Sequence, residues 1–245
     1  MSDDRLRIGI SSCLLGRRVR YDGGHKRDDS LTDELGPSCR WVPVCPEFEL
    51  GLGVPREAMR LAGRTGTPRL VTVKSRKDFT APMFAYARRR VAALARDGLD
   101  GFVLKSRSPS CGWGSVPVHG ATGRAAAGGS GLFARALREA MPDLPMEEEE
   151  RLKDPAVRGN FLERALCRRR WRRVLRRGAT KAMLREFHAA HASLFRARGG
   201  TAPRALDRRV AGWRDRPTDA QVEAYGKAFF AAIRLSAPKR GRARA

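Results

Sequence analysis

No run of about 18 consecutive apolar residues, the minimum for a helix across a bilayer, occurs in the sequence, so no transmembrane helix is expected. The opening stretch, MSDDRLRIGISSC, begins acidic and passes at once into a strand-like run. It lacks the charged, apolar and small-residue zones of a secretory signal, and the expectation is a cytoplasmic protein. Aromatic residues are scarce, at 7%, so the core of a chain that is 42% hydrophobic should be mainly aliphatic. There are only five cysteines, Cys13, Cys39, Cys45, Cys111 and Cys167, and no two are spaced as CxxC. The odd count in a reducing compartment argues against a closed disulfide framework. The missing CxxC argues against a zinc ribbon or a bacterial ferredoxin run. No internal repeat is present, and 245 residues suffice for one large domain or two modest ones.

Positive charge is in excess, at +24 formally. From Arg151 onward there are 26 basic against 7 acidic residues, a net of +19, whereas the first 150 residues hold 24 against 19, a net of +5. So lopsided a field points to a polyanionic partner rather than to a generally basic solvated surface.

The N-terminal part alternates strand and helix patterns. RIGISS (7–12), RWVPVC (40–45), RLVTV (69–73) and LDGFVLK (99–105) read as strands. APMFAYARRRVAALARDG (81–98) has a helical apolar stripe of Met83, Phe84, Tyr86, Ala87, Val91 and Leu94, with Gly98 as its stop, and GLFARALREAMPD (131–143) reads as a second helix. The fold class expected is α/β, a mainly parallel sheet with helices on both faces. Asp154-Pro155 ends this unit, giving expected domains 1–152 and 153–245. The second is expected to be smaller and all-helical, over 160–178, 180–199 and 219–236, with the basic tail APKRGRARA disordered.

Cys13 and Cys45 directly follow expected strands, and Cys111 follows one by a short Ser/Pro/Gly loop. An open parallel sheet binds ligands outside the carboxyl ends of its strands, so three such cysteines can converge. Three thiolates would leave one iron of a four-iron cubane uncovered for substrate, and soft sulfur ligands favour iron over hard ions. A zinc ion on three cysteines and a water, and three thiols packed as small hydrophobes, remain open alternatives on the residues alone. Glu47, two residues past Cys45, is a candidate general base for a bound water, and Ser108 and Ser110 ahead of Cys111 can hydrogen-bond a substrate.

In combination CLLG…RYDGGHK, VPVCPE…LG…VPRE, DFT..M..YA and GFVLKSRSPSCG resemble the thiouracil desulfidase (DUF523) family, over about residues 6–152. Residues 153–245 resemble a DUF1722-type domain often fused to it, through RGNFLER, FHAAH and AY-KAFFAAI, with 199–218 shorter and richer in Arg. The resemblance implies a [4Fe-4S] cluster on Cys13, Cys45 and Cys111, with Glu47 and Ser108 as the catalytic pair. The fused arrangement is similar to a tRNA 4-thiouridine desulfidase, which would replace the C4 sulfur by water oxygen, with the helical domain holding tRNA. A desulfidase of free thiopyrimidines, and a non-catalytic RNA-binding protein with a structural metal, are the alternatives. No membrane contact and no obligate protein partner is expected.

For the phosphate of a nucleotide, His25, Lys26 and Lys105 are the candidates; for RNA, Arg168, Arg169, Arg170, Arg172, Arg173, Arg176 and Arg177. Trp171 among them can stack on a base or pack, and packing is the favoured reading. His188 and His191 share a helix face without a third metal ligand, so RNA contact or interhelix hydrogen bonding is expected of them. Cys39 and Cys167 read as bystanders, Cys39 being the one realistic fourth cluster ligand. GGSG (128–131) lacks the Lys-Ser/Thr of a P-loop and reads as a flexible turn, and EEEE (147–150) as a solvated linker face.

Overall fold

The computed structural model describes residues 5–120, 122, 124–196, 202–213 and 215–234. Its strands are β1 (Leu6–Ser11), β2 (Cys39–Val44), β3 (Met59–Arg64), β4 (Thr67–Thr72), β5 (Gly101–Leu104), β6 (Trp113–His119), β7 (Ala125–Ser130) and β8 (Met146–Glu148). The helices are α1 (Pro46–Glu49), α2 (Thr80–Asp97), α3 (Leu132–Ala140), α4 (Glu149–Leu152), α5 (Pro155–Arg176), α6 (Lys181–Ala190), α7 (Ala192–Arg196), α8 (Ala202–Ala211) and α9 (Asp219–Ala232).

One sheet is parallel throughout, in the order β2-β1-β5-β8. Ser11 stands opposite Val44, and Ile10 opposite Val103, so β1, β2 and β5 end side by side. Ile8, Ile10, Phe102 and Val103 are fully buried, as strands covered on both faces require. Gly9 lets the sheet close on Phe102: a Cβ there would lie 2.3 Å from the Phe102 ring. Helix α2 buries Met83, Tyr86, Ala87, Val91 and Leu94 and stops at Gly98, whose φ of 73° favours glycine. Each fully buried aliphatic side chain of that stripe contributes about 1.5–3 kcal/mol.

A second sheet, in the order β4-β3-β6-β7, was not expected, and it is mixed: β3 pairs antiparallel with β4 and parallel with β6, and β6 antiparallel with β7. RLVTV therefore belongs mostly to β4 rather than to the parallel sheet. The reason is local: Thr65-Gly66 joins β3 to β4 with Arg64 opposite Thr67, and a two-residue connection can return the chain only antiparallel. GGSG is not a free turn. Gly128–Ser130 complete β7, and Gly131 precedes α3.

The chain divides into two compact units, one through Phe161 and one from Leu162. The division falls inside α5, further along than the expected 152/153 boundary. Phe161 is fully buried in the first unit, against Gly101. In the second unit Thr180 caps α6, and Thr218 with Gln221 forms a capping box on α9. Its core gathers Trp171, Phe187, Trp213, Tyr225, Phe229 and Phe230, so the aromatics that are scarce overall concentrate here. Trp171 is 6% exposed and packs 5.2 Å from Phe187, which makes it core. The expected 180–199 helix breaks at His191 into α6 and α7. The tail 237–245 lies outside the described residues.

His188 joins Tyr225 (3.0 Å) and Asp207 (2.7 Å) through its two ring nitrogens. His191 joins the Phe187 carbonyl (2.6 Å) and Arg170 (3.2 Å). Both rings are therefore committed to interhelix hydrogen bonds. Burial holds His191 below the usual imidazole range, with the neighbouring Arg170 adding to the effect.

Candidate active site

Cys13, Cys45 and Cys111 line one cleft of about 390 Å³ at the carboxyl edge of the parallel sheet. Cys13 sits on the 3-10 turn Ser12–Leu15 after β1, and its carbonyl accepts from Gly16 and Lys26 N–H groups. Cys45 follows the end of β2 and caps α1; its N–H donates to Glu49 Oε1 (3.0 Å), and Glu49 is itself held by Tyr86 (2.8 Å) and Arg90 (3.0 Å). The Cys111 N–H donates to Ser108 Oγ (3.1 Å). The Cys111 loop packs so tightly on the start of α3 that a Cβ on Gly131 would meet the Ser110 carbonyl carbon at 2.4 Å.

Burial raises all three thiols. Cys13 is pushed up to about 11, with Cys45 adding to the shift. Cys45 is raised by burial and by Glu47. Cys111 is raised well above the ordinary thiol value by burial, with Cys45 and Cys13 adding to it. The thiols thus feel one another, and a group that gathered them as thiolates would have to supply positive charge and displace protons. Among the described residues no three His, Cys, Asp or Glu side chains are drawn together around a single metal ion. Cys39 begins β2 and Cys45 follows its end, so the two stand roughly 20 Å apart along the strand. Cys39 lies at the opposite edge and is no partner for the cleft. Cys167 is core of the second unit.

Glu47 lies in the cleft wall in a nearly buried ion pair. Its Oε2 accepts from Arg56 Nη2 (2.7 Å) and Nε (3.1 Å), and its Oε1 from Ser110 Oγ (2.8 Å). Arg56 also donates to the Val19 and Gly53 carbonyls. Ser108 lines the same cleft, with its Oγ accepting from two backbone N–H groups. Of the expected phosphate ligands, Lys105 lines the cleft but is ion-paired with Glu149, while His25 and Lys26 are exposed and stand outside the cleft lining.

The acidic run 147–150 is the largest departure from expectation. Glu148 is 5% and Glu149 2% exposed. Glu149 takes the Ser106 N–H (2.7 Å), the Ser106 hydroxyl (2.8 Å) and the Lys105 ammonium. Glu148 takes the Trp113 N–H (2.6 Å) and the Ser115 hydroxyl (2.5 Å). Adjacent glutamates thus hold both ends of the loop that carries Ser108, Ser110 and Cys111. Sequence reasoning also missed Arg56 and Ser110 as supports of Glu47; the VPRE and SPSCG strings were their signal. Replacing Glu149 with leucine leaves the half-buried Lys105 ammonium without its carboxylate and the buried Ser106 N–H without its acceptor. Glu149→Leu is expected to destabilise the fold by about 3–5 kcal/mol, measured by urea unfolding; a loss under about 0.5 kcal/mol would show that the clamp does not hold.

Three thiols and an ion-paired carboxylate thus share one cleft at the strand ends of a parallel sheet flanked by helices, the arrangement of an α/β fold. The chain belongs to the 2-thiouracil desulfurase family, whose model matches residues 8–149. It is 32% identical over 139 residues to the uncharacterized protein YbbK of Bacillus subtilis (strain 168), covering 54% of this chain and 90% of that protein. Among solved structures it is similar to the [4Fe-4S]-dependent thiouracil desulfidase TudS, with TM-score 0.51 and 32% identity, over 62% of this chain and 97% of that one. Among the described residues no helix is long and apolar enough to cross a membrane.

Proposed function

We propose that this protein removes the C4 sulfur of 4-thiouridine in tRNA, using a [4Fe-4S] cluster held by Cys13, Cys45 and Cys111. The observation that carries the reading is the gathering of three thiols, and no fourth, around one cleft with Glu47 in its wall. A cubane's ligand sulfurs lie around a body several ångströms wide, which suits thiols that share a cleft without closing on one ion. Three donors leave one coordination position for substrate. Bound there, the cluster supplies a Lewis-acidic iron with a preference for sulfur.

The residues do the proton work. Water adds to C4 and sulfide leaves, so the net change is hydrolysis and no electrons enter or depart. Glu47 keeps lone pairs beyond its bonds to Arg56 and Ser110, and takes the proton of the attacking water. Ser108 has a hydroxyl proton with no acceptor among the described residues, and donates it to the base. Arg56 and Ser110 hold the carboxylate in one orientation.

Support for tRNA comes from charge. Arg173, Arg176 and Arg177 are exposed on α5 and its end and lack an acidic partner among the described residues, whereas Arg170 is engaged with His191 and Trp171 is buried. Changing Arg173, Arg176 and Arg177 together to glutamine is expected to weaken tRNA binding and to reduce the slope of log affinity against log salt by roughly 2–3, with free-base turnover unchanged. An unaltered slope would remove these arginines from the interface.

The second reading is a desulfidase of free thiopyrimidines, favoured by the family model, whose match at residues 8–149 lies within the first unit. Anaerobically reconstituted protein, given thiolated tRNA and 4-thiouracil side by side, separates the two. Salt-insensitive and equal turnover of both would sink the tRNA reading; stoichiometric zinc in place of iron would sink the desulfidase reading itself.

A further inference from the structure

The outer face of the mixed sheet gathers cations around one small residue. Leu61 on β3 stands opposite Leu70 on β4 and beside Val118 on β6, and all three are buried. The residues alternating with it, Arg60, Ala62 and Arg64, therefore belong to the other face. On that face Ala62 has Arg69 opposite it on β4 and His119 beside it on β6. Arg60 and Arg64 stand before and after Ala62, and Arg69 and His119 on its two sides, at spacings of roughly 5–7 Å.

No acid within the sheet balances them. Strands β3, β4, β6 and β7 contain neither Asp nor Glu. Arg69 has a loose pair with Asp78, at 3.6 Å with both side chains exposed. Arg60 and Arg64 have no carboxylate partner, and His119 no hydrogen bond, among the described residues. Arg60 Nε is also shut away from water without an acceptor, a donor that an arriving anion would satisfy. Covering apolar surface explains Arg60 in part, since Val71 opposite it is buried. It does not explain Arg64 or His119, whose partners Thr67 and Ala125 are small and exposed.

The chemistry this cluster fits is a phosphate. Guanidinium groups fork onto phosphate oxygens, an imidazole N–H adds a donor, and the Ala62 methyl leaves the centre open. Position decides which phosphate. Ala58 and Met59 line the cleft, and Met59 shares the face of Leu61. Ala62 and Arg64 stand about 10–17 Å further along β3, on its opposite face. One nucleotide in the cleft cannot also fill the cluster, whereas a polynucleotide can reach both. We propose that Arg60, Arg64, Arg69 and His119 form an RNA contact on the mixed sheet, away from the cleft, that holds a phosphodiester of the tRNA chain. This rests on the tRNA reading and adds that the first unit holds RNA by a surface of its own.

Filter binding of an unmodified tRNA transcript to the full chain, across a salt series, tests it. Arg60→Gln with Arg64→Gln should weaken binding roughly 10–100-fold. The slope of log affinity against log salt should fall by roughly 1–2, in addition to the fall expected from the α5 arginines. Ala62→Glu, which sets a carboxylate among the four basic groups, should weaken binding comparably, whereas Ala62→Gln should bind as wild type does. Those two variants differ in charge and hardly in size, so a difference between them is electrostatic. Unchanged affinity and slope in the double variant, or equal loss in Ala62→Gln and Ala62→Glu, overturns the site. Parallel titration with uridine 5′-monophosphate identifies the occupant: binding that the double variant loses while its tRNA affinity is unchanged assigns the face to a small phosphate ester and overturns RNA. Wild type that binds no tRNA removes this contact together with the tRNA reading. Wild type that binds tRNA with an affinity indifferent to Arg60, Arg64 and Ala62 removes this contact alone.

Discussion

Cys111→Ala is expected to abolish iron binding and desulfidation together. Its thiol is buried at the floor of the cleft, and the loop carrying it is held by Glu148, Glu149 and the close approach of Gly131, so no neighbouring sulfur can move in to substitute. Cys13→Ala and Cys45→Ala should behave alike, and Cys39→Ala, at the far edge of β2, should retain full iron and activity. Iron and acid-labile sulfide analysis reads the outcome, and full iron in Cys111→Ala would dismiss it as a ligand. The same thiols give the reconstitution a pH sign. Cys13 is held near 11 and Cys111 well above its ordinary value, so the metal-free cleft carries its protons at neutral pH. Cluster assembly must release them, and iron uptake should therefore strengthen as pH rises and fade as it falls. Uptake that is flat with pH would mean that the thiols are already ionised.

Glu47→Gln is the second large effect, and its expected signature is opposite. Glutamine keeps its one oxygen for Arg56 and turns its amide N–H to the Ser110 hydroxyl, which can accept, so the cleft and its iron should survive. What is lost is the capacity to take a proton from water, with turnover expected to fall about 10²–10⁴-fold. Because Arg56 is left in a largely buried place beside a neutral partner, a fall in thermal midpoint should accompany the change. Iron content separates the two: normal iron with lost turnover assigns Glu47 to the chemistry, and normal turnover removes it.

Local pattern foretold what depends on neighbours in sequence. The stripe of α2 emerged from 3.6-residue spacing, and Gly98 ends the helix where its freedom from a Cβ requires. Strands ending at Cys13 and Cys45 could be read because a buried parallel strand is a continuous apolar run. Strand β7, AAAGGS, has no such run; only pairing with β6 makes it a strand. The EEEE run shows the limit most clearly. Four adjacent acids look like a solvated face, and two of them are buried because Ser106, Lys105, Trp113 and Ser115 come to meet them from 33 to 44 residues away.

By itself the sequence determined the three strand-end thiols, the glutamate and serine beside them, the helical stripes and the concentration of positive charge after Arg151. Only the tertiary structure decided which charges cancel. It spent Lys105 on Glu149 and Arg56 on Glu47, committed His188 and His191 to neighbouring helices, and left Arg60 and Arg64 with no acidic partner among the described residues. The physical reason is that periodicity is written residue by residue along the chain, whereas the partner of a charge is whichever group the fold brings within a few ångströms of it.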